Sequence, residues 1–413
     1  MEFILFVIYL SIYVGLVATT FYILSFLSDR KKTKEFLSDD ELPFVSIIIP
    51  AYNEENSIAK TIEDILKSNY PSERFEILVV DDGSKDKTFE IAKKYESEKI
   101  KVFHKENGGK GSALNLGIKK AKGEIILTLD ADTFASPESM KNMIRYFKNE
   151  KVVSVTPAMV LDKPKTILQR VQQIEYLMGL FLRKAFASLD AIYIAPGAFS
   201  AYRKSFFEKY GGYEEGNITE DLELALRIQS KGYITENCPD APVYTVAPSK
   251  FKPLMIQRRR WYYGLIKNTW NYRHILGRKY GDLGVFVLPI AGISILLSVF
   301  VTVYFFFKTL FNVYSEILFL RSVNFYFGNV LNFNFYVVER FLFLFFSNPI
   351  IIFVLIFMIV MFFYLHYASK KVGRSSGLVI NILLFFFLFA LLFGFWWVVS
   401  IFYAIFYKKI RWR

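Results

Sequence analysis

The sequence predicts an α/β domain, a mainly parallel sheet with helices on both faces, joined to an α-helical transmembrane region and interfacial helices. Two observations predict it. From Phe44 to Leu129, short β-branched runs alternate with helix-patterned segments, the order that builds parallel sheets covered on both sides. Outside this polar middle, long apolar runs stand toward both ends of the chain, matching the ~20 residues a helix needs to cross a bilayer.

The first run, Phe3 to Leu27, carries no charge. No basic residue precedes Phe3 and no small-x-small site lies near Leu27, so it reads as a retained anchor rather than a cleaved signal. Arg30, Lys31, Lys32 and Lys34 follow, and the positive-inside rule puts that side in the cytoplasm and the N-terminus outside. The expected organisation is a transmembrane helix over 1–28, a basic linker over 29–42, a cytoplasmic domain over 43–253, an interfacial helix over 254–282 and a transmembrane region over 283–413.

Within the domain, Phe44 to Ile49, ended by Pro50, has the composition of a buried strand. Ile58, Ile62, Ile65 and Leu66 share one helix face. Phe75 to Val80 is a second strand, Lys87 to Tyr95 a helix, Ile100 to Phe103 a third strand, Lys110 to Ala121 a helix, and Glu124 to Leu129 and Val152 to Met159 further strands. Ile167 to Leu189 mixes Ile174, Leu177, Met178, Phe181, Leu182 and Phe186 with Arg183 and Lys184. That pattern fits an interfacial helix and an ordinary surface helix packed on the sheet equally well. Ile256 to Ile275 carries Trp261, Tyr262, Tyr263 and Trp270 among basic residues, the composition of a helix at headgroup depth.

Three apolar runs come late: Leu283 to Phe307, Pro349 to Ala368 and Leu378 to Tyr407. Phe341 to Phe346 is too short to cross and reads as a re-entrant or interfacial piece. Alternating crossings put Lys370 to Arg374 inside and Lys408 to Arg413 outside, the latter against the charge rule. Either the last run bends back at Gly394 or the terminal bias is overridden. A single crossing is favoured because 30 residues make a short hairpin.

The net charge of +13 lies largely beside the apolar runs and at Arg258 to Arg260. Anionic headgroups and a phosphorylated ligand explain it better than nucleic acid does. Cys238, the single cysteine, excludes intrachain disulfides and cysteine zinc sites.

Ligands of such sheets bind at the carboxyl ends of the strands, where the acidic residues cluster. Asp81-Asp82-Gly83-Ser84 follows the second strand; a base and ribose could be gripped there, although Asp and Gly also make plain turns. Asp130-Ala131-Asp132 ends another strand, and paired carboxylates repel unless a cation joins them. A divalent ion, Mg²⁺ or Mn²⁺, with oxygen ligands fits. Thr219-Glu220-Asp221 opens an apolar-periodic helix; helix capping and a catalytic carboxylate base both account for it. In Gln257-Arg258-Arg259-Arg260-Trp261 a guanidinium fork suits a diphosphate and an indole can cover a sugar ring, while Arg258 and Arg259 read as a membrane-surface patch. Asn107-Gly108-Gly109-Lys110-Gly111 offers amides and Lys110 to a phosphate but lacks Walker spacing. His104 reads as strand-end packing.

These segments, in this order, resemble the inverting family 2 glycosyltransferases of the GT-A (nucleotide-diphospho-sugar transferase) fold, specifically the membrane-bound cellulose, hyaluronan, chitin-oligosaccharide and poly-N-acetylglucosamine synthases. The likeness runs from Val45 to Trp261 and includes the terminal spans. It implies that Ala51, Tyr52, Glu54, Asp81, Asp82 and Lys110 bind a UDP-sugar, with Asp130 near the nucleotide. Asp130 and Asp132 would form the metal motif, Asp132 being the direct ligand. Asp221, with Glu220 beside it, would be the catalytic base. Gln257, Arg260 and Trp261 match the Gln-x-x-Arg-Trp signature of processive members, arginine on the diphosphate and tryptophan near the acceptor. Ala195 to Arg203, including Gly197, resembles the acceptor-side segment without the cysteine of some relatives.

The resemblance therefore implies a metal-dependent hexosyltransferase, multi-pass in the plasma membrane. It would add N-acetylglucosamine or glucose to a growing β-linked glycan and extrude it. Two rivals stand beside this reading: a transferase adding one sugar to a polyprenyl phosphate or glycolipid, and a transporter or channel with a nucleotide-binding cytoplasmic domain. Few ionisable residues apart from His366 interrupt the late apolar runs, which counts against a coupled transporter.

Overall fold

A computed structural model describes residues 2–28, 36–322, 338–340, 342–343, 347, 349–371 and 378–406. Arg30 to Lys34, residues 341 and 344–346 of the short apolar piece, residues 372–374 and Lys408 to Arg413 lie outside the described residues.

The chain runs α1 (Glu2–Ser28), β1 (Val45–Ala51), α2 (Ile58–Leu66), β2 (Phe75–Asp81), α3 (Thr88–Lys93), β3 (Ile100–His104), α4 (Lys110–Lys120), β4 (Ile125–Thr128), β5 (Phe134–Ala135), α5 (Ser139–Ile144), β6 (Val152–Leu161), α6 (Ile167–Ser188), β7 (Ser200–Arg203), α7 (Lys204–Tyr210), α8 (Glu220–Ser230), β8 (Ile234–Thr245) and α9 (Phe251–Asn271). Three long helices complete it: Leu288–Ser322, Pro349–Lys371 and Leu378–Phe406.

The strands form one sheet in the order β3-β2-β1-β4-β7-β6-β8-β5. The β3-β2-β1-β4 half is parallel, as the alternation predicts; β7 then pairs antiparallel with both β4 and β6, so the sheet is mixed. β7 and β8 escape a sequence reading for physical reasons. Ser200–Arg203 is too short and polar to show a run, and Ile234–Thr245 carries Pro239 and Pro242 within it. Strand pleating sends neighbours to opposite faces. Ile47, Ile49, Ile77 and Val79 face α2 and α5, while Ile48, Leu78, Val80 and Ile126 face α4, α7 and α8.

α6 packs on the sheet, as one of its two readings expects, and on the apolar helices as well. Tyr176 packs on the sheet core, whereas Val171, Ile174 and Leu177 pack on Met361, Leu365, Ile382 and Phe385 of the last two helices. Phe181, Ala185 and Phe186 meet Ala18 and Tyr22 of α1. The helix is a shim between the domain and the apolar helices.

Among the described residues, two helices are long and apolar enough to cross a bilayer, Glu2–Ser28 and the 40-residue Leu283–Ser322. Both leave most of their apolar surface uncovered by protein, which is unlike a buried core helix. The second continues past the expected end at Phe307, because single charges such as Lys308 and Glu316 limit burial in lipid but do not break helical hydrogen bonding. Leu378–Phe406 is one unbroken helix, so Gly394 makes no hairpin. Gly394 instead lets the backbone approach Thr302, the small-residue contact common between apolar helices.

One buried polar knot ties the parallel half together. Ser46 Oγ donates to Glu76 Oε1 (2.6 Å), which also accepts from Lys122 N–H (2.7 Å), while Gly123 N–H donates to Ser46 Oγ (2.8 Å). Glu76→Ala leaves the Ser46 hydroxyl and the Lys122 N–H without this acceptor at a buried site and should lower stability by about 1–3 kcal/mol, measured by denaturant unfolding of the detergent-solubilised protein.

Candidate active site

Register gathers the chemistry at one edge of the sheet. Ala51 pairs with Asp81 and Asp81 with His104, so β1, β2 and β3 end level. Ile48 pairs with Thr128, and Asp130 therefore emerges at the same edge two residues later. Antiparallel β7 puts Ser200 opposite Thr128, delivering the turn at Gly197 to that edge; Thr128 Oγ1 donates to Gly197 O at 3.0 Å.

Asp81 is fully buried. Its Oδ2 accepts from Ser84 N–H (3.3 Å) and faces His104 Nδ1 at 2.6 Å, which makes that nitrogen the donor. Oδ1 is buried without a partner, an arrangement that favours a ligand bringing a donor. His104 thus orients Asp81 rather than merely packing at a strand end. The signal available in the sequence was its position at the end of the strand next to Asp81.

Asp82 is committed to the fold. Its carboxylate accepts from Gly108 N–H (3.0 Å), Gly109 N–H (2.8 Å) and Lys105 Nζ (2.8 Å), closing the glycine-rich loop over β2. The loop of Ala51, Tyr52 and Glu54 is laced to the same region. Asn53 N–H donates to Ser84 Oγ (2.9 Å), Lys85 N–H to Asn53 Oδ1 (2.8 Å) and Glu54 N–H to Thr88 Oγ1 (2.7 Å). Asn53 takes a left-handed φ of 57°, a conformation asparagine tolerates better than most residues.

Lys110, first residue of α4, lies at the centre. Its Nζ is 2.5 Å from Asp130 Oδ1 and 3.9 Å from Glu220 Oε1. Burial alone would lower its pKa, but Asp130, Glu220 and Asp221 outweigh that and raise it. Burial pushes the Glu220 carboxyl up to about 7, with Lys110 opposing and Asp221 adding to the rise. Asp132 opens toward solvent, yet its pKa is raised by partial burial and by Asp130 and Glu54.

That crowding at Asp132 is what a divalent cation relieves. Among the described residues no group of three His, Cys, Asp or Glu side chains is preformed for a metal. Asp130 and Asp132 are oxygen donors of the kind a hard divalent ion takes.

Asp221 sits at the start of α8. Oδ2 accepts from Gly197 N–H (2.9 Å) and Oδ1 from Leu222 N–H (2.8 Å). A Cβ at Gly197 would lie 2.9 Å from Asp221 Oδ2 and 3.2 Å from Lys110 Nζ, so a larger residue in this turn would press on both groups. Helix capping does not account for Thr219, whose side chain makes no cap bond.

α9 carries Gln257, Arg260 and Trp261, all half-buried. Arg258 corrects an expectation: it is 2% exposed rather than on a membrane surface. It pairs with Glu175 Oε1 of α6 at 2.6 Å and lies over Trp261 (4.4 Å) and Trp396 (5.6 Å). Alternation of charge and aromatic residues gave no means of distinguishing the buried arginine from its neighbours. Arg259 lies over Tyr403 at 4.5 Å, and Tyr262 stacks on Trp397 at 4.6 Å, so α9 is bound to the last helix along its length.

A GT-A sheet with paired acids at its carboxyl edge is the framework of nucleotide-sugar transferases. Residues 46–211 match the model described as glycosyl transferase family 2, and this part of the chain is a family 2 domain. The chain is 34% identical over 232 residues to a probable glycosyltransferase, YdaM, of Bacillus subtilis, covering 54% of this chain and 55% of that protein. It is 30% identical over 262 residues to the poly-beta-1,6-N-acetyl-D-glucosamine synthase of Staphylococcus aureus, covering 62% and 63%. It thus spans less than two thirds of these relatives. A mannosyltransferase from Pyrobaculum calidifontis, solved with GDP-Man and Mn²⁺, shares the fold at a TM-score of 0.54 and 21% identity, covering 70% of this chain and 86% of that one.

Two outcomes follow from the electrostatics. The Glu220 pKa is raised from its ordinary 4.5, so its contribution to stability is full below that value and is lost as pH rises through about 7. Glu220→Gln should flatten the fall in melting temperature across this window, read by thermal unfolding at stepped pH. Arg258→Met strands Glu175 and should cost about 3–5 kcal/mol, while adding Glu175→Leu should recover most of the loss, read by denaturant unfolding of the single and double variants.

Proposed function

We propose that this protein is an inverting, metal-dependent membrane glycosyltransferase that moves a sugar from a UDP-sugar to a growing β-linked glycan. The observation that carries the proposal is the arrangement of Asp130, Lys110, Glu220 and Asp221 around the carboxyl edge of a GT-A sheet. Likeness to the staphylococcal poly-N-acetylglucosamine synthase favours N-acetylglucosamine as the sugar. Apolar helices on either side of the domain support a multi-pass membrane protein with the site on the cytoplasmic side. The Gln257-x-x-Arg260-Trp261 signature supports repeated addition.

The chemistry follows from the residues. The base and ribose are gripped beside Asp81, whose free Oδ1 takes a donor from the nucleotide. Asp132 and Asp130 would hold the divalent ion, which supplies neutralising charge to the diphosphate. Arg260 adds a fork of donors there. Asp221 is oriented by the Gly197 and Leu222 amides, and each carboxylate oxygen keeps a further lone pair for an acceptor hydroxyl. As the acceptor oxygen bonds to the anomeric carbon, the carbon–phosphate-oxygen bond breaks. Its electron pair leaves with the diphosphate and the hydroxyl proton passes to Asp221. One displacement turns an α-linked donor into a β-linked product.

Purified protein with Mg²⁺ or Mn²⁺ should release nucleoside diphosphate from UDP-N-acetylglucosamine in preference to UDP-glucose, UDP-glucuronate and GDP-mannose. Product sizing then separates a polymer from a single added sugar. Asp221→Asn should retain donor binding by calorimetry and lose at least about a hundredfold in turnover; undiminished turnover would remove Asp221 as the base.

A further inference from the structure

The acidic start of α8 is seated by a buried amide clasp that belongs to α9. Asn268 is fully buried and Asn217 and Thr219 are each 6% exposed. Asn268 Nδ2 donates to Thr219 Oγ1 (2.9 Å) and to Thr219 O (3.3 Å). A carbonyl can only accept, so the amide orientation is fixed. Asn268 Oδ1 then accepts from Asn217 Nδ2 (2.9 Å), and Asn217 Oδ1 accepts from Thr219 N–H (3.1 Å). The Thr219 hydroxyl, unused as a helix cap, is consumed here.

The backbone makes the same contact one turn earlier. A Cβ at Gly264 would lie 2.1 Å from Thr219 Oγ1 and 2.5 Å from Thr219 Cγ2, so α9 rests directly on the residue before Glu220. Gly264 and Asn268, four apart, share the face of α9 that meets α8. Gln257, Arg260 and Trp261 precede them on this unbroken helix.

Resting on the proposed transfer reaction, we infer that Asn268 is a positioning residue: with Asn217 and Gly264 it holds the Glu220–Asp221 turn in register with the Gln257–Trp261 segment. The base and the diphosphate side of the site are thereby set as one unit. Asn268 touches neither donor nor acceptor and acts through Thr219.

Asn268→Asp tests this, since it keeps shape and the acceptor toward Asn217 but loses both donors to Thr219. The expected result is a fall in kcat of about tenfold or more with the donor KM within about twofold, as misplacement of a reacting group costs rate rather than donor binding. Active fraction is normalised by donor-site titration, which removes simple losses of folded protein. Gly264→Ala, which lifts α9 from Thr219 by a steric route, should give the same split. An active native enzyme with kcat within about twofold in Asn268→Asp, or a loss carried by KM, overturns the clasp alone. No diphosphate release by the native enzyme overturns the transfer reading itself.

Discussion

A single ammonium group organises the site. Lys110 stands among three carboxylates from two separate parts of the chain, Asp130 after β4 and Glu220 and Asp221 at the start of α8. Without it those acids would repel one another in a partly buried edge, and the two halves of the domain would have no electrostatic reason to close. Its own position is secured in turn. Asp82 ties down the glycine-rich loop immediately before α4, and the Gly197 turn approaches the ammonium so closely that an added Cβ would lie 3.2 Å from it. A helix start, a strand end and a turn thus converge on one charge.

Much of this was legible in the sequence because local pattern and tertiary role coincide. The β-branched runs at Val45, Phe75 and Ile125 became strands of the parallel half with their acids at the expected edge. Legibility failed where a residue's role depends on a partner distant in sequence. His104 gains meaning only from register with Asp81, Arg258 only from Glu175, and Thr219 only from Asn268, each pair separated by more than twenty residues. Polar β7 and proline-bearing β8 are strands because neighbours pair with them, not because their own composition demands it.

The domain and the apolar helices are not a globule on a tether. α6 is wedged between sheet and helices, and α9 is stacked on the last helix through Tyr262 and Trp397. Buried polar groups accumulate at this seam: the Glu175–Arg258 pair, and Asn381 donating to Gln173 at 3.1 Å. Such groups define a relative position more sharply than apolar packing alone, since sliding the surfaces would leave charges and amides unmatched.

This seam has a consequence for how the molecule is made. Ribosomal synthesis delivers the sheet and both α6 and α9 well before Leu378–Phe406, yet that final helix covers Val171, Ile174 and Tyr262. Domains begin to fold during synthesis, so the nascent domain must wait with apolar flanks uncovered until the last segment arrives. Burial of these faces of α6 and α9 is therefore tied to the arrival of Leu378–Phe406, and a product cut short of that helix is left with its surfaces unsheathed.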